Sequence, residues 1–322
     1  MNGTTTVACP RQRGVALITA LLITALVTVV AVAMISRQQL DIRRTANMLE
    51  ADQAYMYALA AEDLAKKILE QDLRDSSNDT LLEQWGTPIP AIPVEGGAIS
   101  GSIEDLQGRF NLNNLLDSSG QPDPAQVASL QRLMQQVSFV TEDLNLSPAL
   151  VNRVVDWIDP DMNTSADGAE DQEYLGVTPS YRAANQLMVS PSELALLLDM
   201  PAEGAAALRD LVATLPATTA VNVNTAPELV LMALDPNITP QIASELAQIR
   251  RNRPFETTVE FTDKLNNDYQ ITTLAASRVG VTSEYFLVTS TAAIGRTQLR
   301  MYSLLARTGG RVTTVRRSIG TY

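Results

Sequence analysis

The chain has 322 residues, 45% of them apolar but only 5% aromatic, so it can form one large domain or two ordinary ones with aliphatic cores. Its 24 basic and 36 acidic residues give a net charge of −12, a surface that repels phosphate backbones and argues against nucleic acid as a partner. There is no histidine, which excludes His-based triads and His-ligated zinc or iron, and the one cysteine, Cys9, excludes a disulfide within the chain.

The first fourteen residues carry Arg11 and Arg13 and no acid, and an uncharged run of 21 residues, Val15 to Ile35, follows. As a helix that run rises ~31 Å, enough to span the hydrocarbon core of a bilayer. The basic flank predicts a cytoplasmic N-terminus. A cleaved secretory signal is the plain reading of such a segment. Against it, the run exceeds an ordinary signal core, no A-x-A site follows, and neither Gly nor Pro interrupts the sequence from Val15 to Asp75. Tyr57, Ala60, Ala61, Leu64 and Ile68 recur at helical spacing. The pattern predicts one helix from about Val15 to about Leu73, with 15–35 in the membrane and 36–75 packed under a soluble domain.

A short basic leader, a glycine, a spanning helix and an amphipathic continuation resemble the type IV pilin and pseudopilin family. The matching residues are Arg13-Gly14 before Val15-Ala16-Leu17-Ile18. The resemblance implies that residues 1–14 are a leader, cut between Gly14 and Val15 by prepilin peptidase, with N-methylation of Val15. Most of the family carries Glu at the fifth mature position, where it neutralises a neighbour's terminal amine inside the apolar filament. Here that position is Thr19. A subunit without the carboxylate cannot offer that pairing, whose loss is costly in an apolar setting, and it belongs at a filament end. The K-type minor pseudopilins of type II secretion lack the same Glu.

Beyond the helix, Gly86 to Gly97 with Pro88, Pro90 and Pro93 reads as a turn-rich link, and "AISGSIEDLQGRFNLNNL" then alternates as a strand does. From about Pro122 to Pro216 the pattern turns helical. "PAQVASLQRLMQQV", "SPALVNRVVDWI", "SPSELALLLDM" and "AEGAAALRDLVATL" predict four helices, several opened by Ser-Pro or Asp-Pro. Strand character returns in "AVNVNTA", and "EYFLVTSTAAI", "TQLRMYSLLAR" and "RVTTVRRSI" predict an antiparallel meander. The layout is α+β. A sheet unit formed by 76–120 and 217–322 is interrupted by an all-helical insertion at 121–216.

"GRFNLNNL", "DWIDPD", "GAEDQEY", "YRAAN" and "VNVNTA" together extend the resemblance to K-type minor pseudopilins over nearly the whole mature chain. It implies a pilin-like long N-terminal helix packed on an antiparallel sheet, with a large all-α insertion. The implied role is non-enzymatic: a subunit at the tip of the type II secretion pseudopilus that initiates or caps the filament. Its implied partners are the I-type and J-type minor pseudopilins, met mainly through residues 36–73, and other pseudopilins of the filament. Its implied location is the inner membrane, single-pass, with the C-terminal domain periplasmic.

The densest acidic stretch is "DWIDPDMNTSADGAEDQEY". Counted from Asp159 as position 1, Asp161, Asn163, Asp167 and Glu170 fall at positions 3, 5, 9 and 12, with Ser165 placed to give a carbonyl at 7. This is the oxygen-ligand spacing of a calcium loop, although Thr164 stands where an EF-hand has glycine. Asp156 and Asp171 are further candidate ligands. A solvated, Asp-rich turn is the bland reading of the same residues. The family resemblance, whose members bind calcium in this insertion, favours a structural calcium ion.

Residues 226–255 resemble a helix-hairpin-helix, but Asp235-Pro236-Asn237 occupies the hairpin in place of phosphate-gripping glycines. Leu231, Leu234, Ile238, Ile242, Leu246 and Ile249 read as the packing of a structural pair. Two functional alternatives stay open on the sequence. One is a minor pilin of a type IV pilus or DNA-uptake system. The other is a membrane-anchored, calcium-dependent periplasmic enzyme using the 156–174 acids.

Overall fold

The computed structural model describes residues 13–321. Residues 1–12, which include Cys9, Arg11 and most of the expected leader, lie outside them. One helix, α1 (Arg13–Asp75), runs unbroken for 63 residues, and Gly14 and Val15 fall in its first turn. The hydroxyls of Thr19, Thr24 and Thr28 each turn back onto a carbonyl one turn earlier, so their polarity is met inside the helix as a bilayer requires. Residues 15–49 are exposed throughout. Among the described residues this is the helix long and apolar enough to cross a membrane.

The upper part of α1 lies on a five-stranded antiparallel sheet. Its buried stripe is Ala54, Ala58, Glu62, Ala65 and Leu69, spaced at three and four residues. That stripe is displaced from the expected face, because Tyr57, Ala61 and Ile68 only flank it and Ala60 and Leu64 are exposed. Alanines let the helix approach the sheet closely, and a buried Glu leaves no mark in an apolar pattern.

The sheet is built from β1 (Ile89–Val94), β2 (Gly97–Asp105), β7 (Tyr285–Ile294), β8 (Thr297–Thr308) and β9 (Arg311–Ile319), in the order β1-β2-β7-β8-β9. The meander β7-β8-β9 is the one expected. β1 was expected as a link. It forms an edge strand in spite of Pro90 and Pro93, with its register broken between Ile89 and Ile92, since an edge tolerates residues that cannot donate to a ladder. Gly97 is required here, because an added Cβ would lie 1.8 Å from the Ala293 carbonyl oxygen.

Between β2 and β7 the chain builds a mostly helical body. Its elements are β3 (Phe110–Asn111), α2 (Pro124–Val140), α3 (Ala149–Ile158), α4 (Asp171–Leu175), α5 (Ala202–Arg209), β4 (Val212–Ala213), β5 (Val221–Asn222), α6 (Glu228–Leu234), α7 (Pro240–Asn252), α8 (Thr258–Tyr269) and β6 (Val279–Gly280). Asp123 caps α2 by accepting from the amides of Ala125 (2.8 Å) and Gln126 (3.2 Å). Two expectations change. "SPSELALLLDM" is a 3-10 segment, Pro191–Leu196, and the fourth helix stops at Arg209, after which Val212–Ala213 pairs in parallel with Phe110–Asn111.

The similar fragments "FNLNN" and "VNVNT" do similar work. The Asn111 side chain accepts from the Asn113 amide at 3.2 Å, and that of Asn222 from the Asn224 amide at 3.0 Å. β3 pairs in parallel with β4, and β5 with β6. One apolar core extends from Phe110 to Val281 and includes residues of α2, α3 and α6–α8. Two smaller clusters serve the sheet and α1, and a third packs Ala213 and Leu215 of the helical body against β7 and β8.

Candidate metal centre

The acidic loop begins where α3 ends. Asp156, fully buried on α3, accepts from the amides of Ser165 (3.1 Å) and Ala169 (2.9 Å) through Oδ2. It thereby folds the loop back over the helix end. Asn152, one turn earlier, donates to the Ala166 carbonyl at 2.7 Å. Gly168 closes the turn, and no other residue fits: a Cβ there would lie 1.9 Å from Asp156 Oδ2.

This fold brings Asp159, Asp161 and Glu170 together, with a carboxylate oxygen from each within 4.8 Å of the others. Asp159 and Glu170 are buried, at 8% and 2% exposure. Asp159 Oδ1, both Glu170 oxygens and Asp156 Oδ1 are buried without a hydrogen-bond partner. Burial pushes the Glu170 carboxyl up to about 7, with the charges of Asp159 and Asp156 adding to it. Burial, then the charges of Asp161 and Asp156, pushes Asp159 up to about 6. Orphaned, mutually repelling, buried carboxylates are costly unless a cation neutralises them. The donors are all oxygen, which suits a hard divalent ion with flexible coordination.

The other expected ligands are placed differently. Asp167 has a left-handed backbone (φ 60°) and is not part of the three-carboxylate cluster. Asn163 is exposed, and its amide donates to Asp161 Oδ1 at 2.7 Å. The Ser165 carbonyl accepts from the Gly168 amide at 3.0 Å. Asp171 is already engaged by the Ala183 amide (3.1 Å) and by Arg182 (2.8 Å).

One residue escaped sequence reading. Asn185 donates from Nδ2 to the Asp161 carbonyl at 2.9 Å, while its own Oδ1 is buried and without a partner. Its signal lay in "YRAAN", fifteen residues beyond Glu170, too far for any loop spacing. Beneath the loop, Trp157 packs edge-on against Tyr174 with ring centroids 5.2 Å apart and donates to Glu193 at 3.0 Å.

A second acidic group, Asp72, Asp79 and Glu83, is organised by an arginine. Arg307 donates to Asp72 at 2.9 Å and to both Asp79 oxygens. In the helix pair at 226–255, Asp235 accepts from the Asn237 amide at 2.9 Å and from Thr273, so hairpin donors are met within the chain. Arg250 is turned inward onto the Val223 carbonyl, and Arg253 pairs with Glu260 at 3.3 Å.

Comparison with known proteins agrees with this architecture. Residues 108–217 and 221–282 match family models described as "Type II secretion system (T2SS), protein K". The chain is 36% identical to type II secretion system protein K of Pseudomonas aeruginosa, over 96% of this chain and 93% of that one. It is 36% identical to the Klebsiella pneumoniae protein of the same description, over 97% and 98%. Among solved structures it resembles a chain in the GspK-GspI-GspJ complex of the enterotoxigenic Escherichia coli type 2 secretion system. That match has a TM-score of 0.73 and 25% identity, covering 87% of this chain and all of that one. Full-length similarity, both family models and a shared α+β fold agree: this chain belongs to the type II secretion system protein K family of structural, non-enzymatic pseudopilins.

Proposed function

We propose that this chain is the tip subunit of a type II secretion pseudopilus, initiating or capping the filament. The observation that carries the reading is α1, which couples a rod exposed along residues 15–49, uncharged as far as Ile35, to the sheet that bears the helical body. The rod enters the membrane with its N-terminus cytoplasmic, and the remainder is periplasmic. Prepilin peptidase cuts between Gly14 and Val15, and Val15 is then N-methylated. Thr19, whose hydroxyl is closed onto the Val15 and Ala16 carbonyls, brings no charge to a neighbouring amine. That suits a subunit needing no such partner. I-type and J-type minor pseudopilins are its partners, a reading supported by the composition of the solved complex that it resembles.

The loop holds a structural calcium ion through Asp159, Asp161 and Glu170, with Asp156 fixing the loop around it. The ion offsets the mutual repulsion of three carboxylates and so stabilises the helical body.

Gold labelling of this chain in cells that overproduce pseudopili tests the tip role. Label confined to one filament end, with fewer filaments when the chain is deleted, is the expected result. Label distributed along the shaft overturns it. Calcium titration of the full chain in nanodiscs tests the ion. Uptake lost in Glu170→Gln is expected, and no uptake by the unaltered chain overturns this part alone.

A further inference from the structure

Asn185 stands at the meeting of the acidic loop and an irregular strap, residues 185–189. Its backbone is left-handed (φ 47°), a conformation that Asn tolerates better than most residues. Its amide group lies beside the Glu170 carboxylate and donates to the Asp161 carbonyl, whereas Oδ1 meets no donor. Rotation by a half-turn about the terminal side-chain bond exchanges Oδ1 and Nδ2 within nearly the same volume. It costs Oδ1 nothing, since Oδ1 has no partner to lose. It would turn a neutral oxygen toward the three carboxylates and release the Asp161 carbonyl as another.

The strap beyond Asn185 is pinned at both of its next contacts. Met188 exchanges two hydrogen bonds with the Asn113 side chain, its amide donating at 2.9 Å and its carbonyl accepting at 3.0 Å. The Val189 amide donates to Glu193 at 2.6 Å, and Glu193 also holds Trp157, two residues before Asp159. The Val189 carbonyl accepts from Arg316, which stands on the sheet's edge strand β9. A five-residue strap thus links the acidic loop to β9 by way of Arg316.

We infer that Asn185 is a calcium ligand from outside the loop, and that through the 185–189 strap the ion tightens the Val189–Arg316 contact between the helical body and β9. The inference rests on the calcium reading above. A ligand that comes only from the loop would order the loop alone. A ligand from the strap makes the ion a clamp between two segments, so its loss loosens a contact with the sheet.

The test uses the full chain in nanodiscs, with calcium chloride as the probe and two readouts: calorimetric affinity and hydrogen exchange of residues 186–190 and 311–319. Asn185→Gly keeps the backbone conformation and removes the oxygen. It should weaken calcium about 10- to 100-fold, and saturating calcium should no longer slow exchange in the strap and β9. Asn185→Asp restores an oxygen with added charge and should bind at least as tightly as the unaltered chain, with the slowing restored. Equal affinity in Asn185→Gly and the unaltered chain overturns the inference, as does calcium that slows only 159–170. If the unaltered chain takes up no calcium, the calcium reading itself fails instead. Were Asn185→Gly to unfold, Asn185→Asp alone decides: tight binding without slowing of the strap overturns the clamp.

Discussion

Glu62 is buried in the middle of the stripe that α1 lays on the sheet, where neutral residues would be expected. It survives there because its oxygens are fully engaged. Arg317 donates twice, at 2.6 and 2.8 Å, Ser303 and Thr314 donate at 2.6 Å, and Lys66 lies 2.7 Å away. Burial alone would raise this carboxyl's pKa. Arg317, Lys66 and the two hydroxyls outweigh burial and hold it well below the usual carboxylate range. Glu62→Gln should therefore destabilise the chain by about 2–4 kcal/mol, because it strands two cations against the sheet. The lower end applies to the extent that Arg317, whose side chain is 41% exposed, recovers water. A depressed folded pKa gives stability that is present above the unfolded value and lost as pH falls. The gap between the unaltered chain and Glu62→Gln in chemical denaturation should thus be constant above pH ~5 and narrow below pH ~4. A gap that does not change down to pH 3 would show that the charge of Glu62 contributes nothing.

At the scale of elements, sequence patterns located what depends on neighbours along the chain and missed what depends on neighbours across it. The reach of α1, expected from about Val15 to about Leu73 and observed over Arg13–Asp75, follows from the absence of any breaker. The β7-β8-β9 meander follows from alternation and glycine turns. The face that α1 buries was shifted because small residues and a paired charge, rather than large apolar ones, make the contact. β1 was concealed by its prolines, which an edge strand admits and a central strand does not. α8, capped only by the Thr257 side-chain oxygen, which accepts from the Glu260 amide, has too few apolar residues to stand out. The acidic loop was legible as ligand chemistry because carboxylates crowd within twelve residues. Its geometry was not. Asp156 works by grasping amides nine and thirteen residues later, Gly168 is fixed by collision with that carboxylate, and Asn185 arrives from a separate segment. No spacing rule encodes such contacts, because their distances are set by the fold.

Over the whole molecule, the main apolar cores of the helical body and the sheet are separate, and the seam between them joins a small apolar cluster, Ala213 and Leu215 against Leu287 and Leu304, to a buried polar network. Its centre is Asp105, buried at the end of β2. Its Oδ2 accepts from Thr225 (2.6 Å), Ser283 (2.7 Å) and Asn222 (2.9 Å), while Oδ1 accepts from the Gln107 amide (2.8 Å). Thr225 and Asn222 belong to the helical body, whereas Ser283 leads into β7. Beside it, Arg307 on β8 joins Asp72 of α1 to Asp79 and donates to the Ser283 carbonyl at 2.8 Å. Directional contacts of this kind fix one orientation, which an apolar contact would leave free to slide. Asp105→Ala leaves four donors facing a void, and stranded buried donors cost about 1–3 kcal/mol each before any relaxation. Net destabilisation of about 3 kcal/mol or more is expected, and it should fall on the seam. The unaltered chain should melt as one unit. Asp105→Ala should show two transitions, and limited proteolysis should cut near 105–110 and 282–285 to release a folded helical fragment. Asp105→Asn, which keeps one acceptor oxygen, should lie between them. If Asp105→Ala loses stability but still melts in one step with both junctions protected, the two cores are coupled by some contact other than this seam, and Asp105 only adds stability.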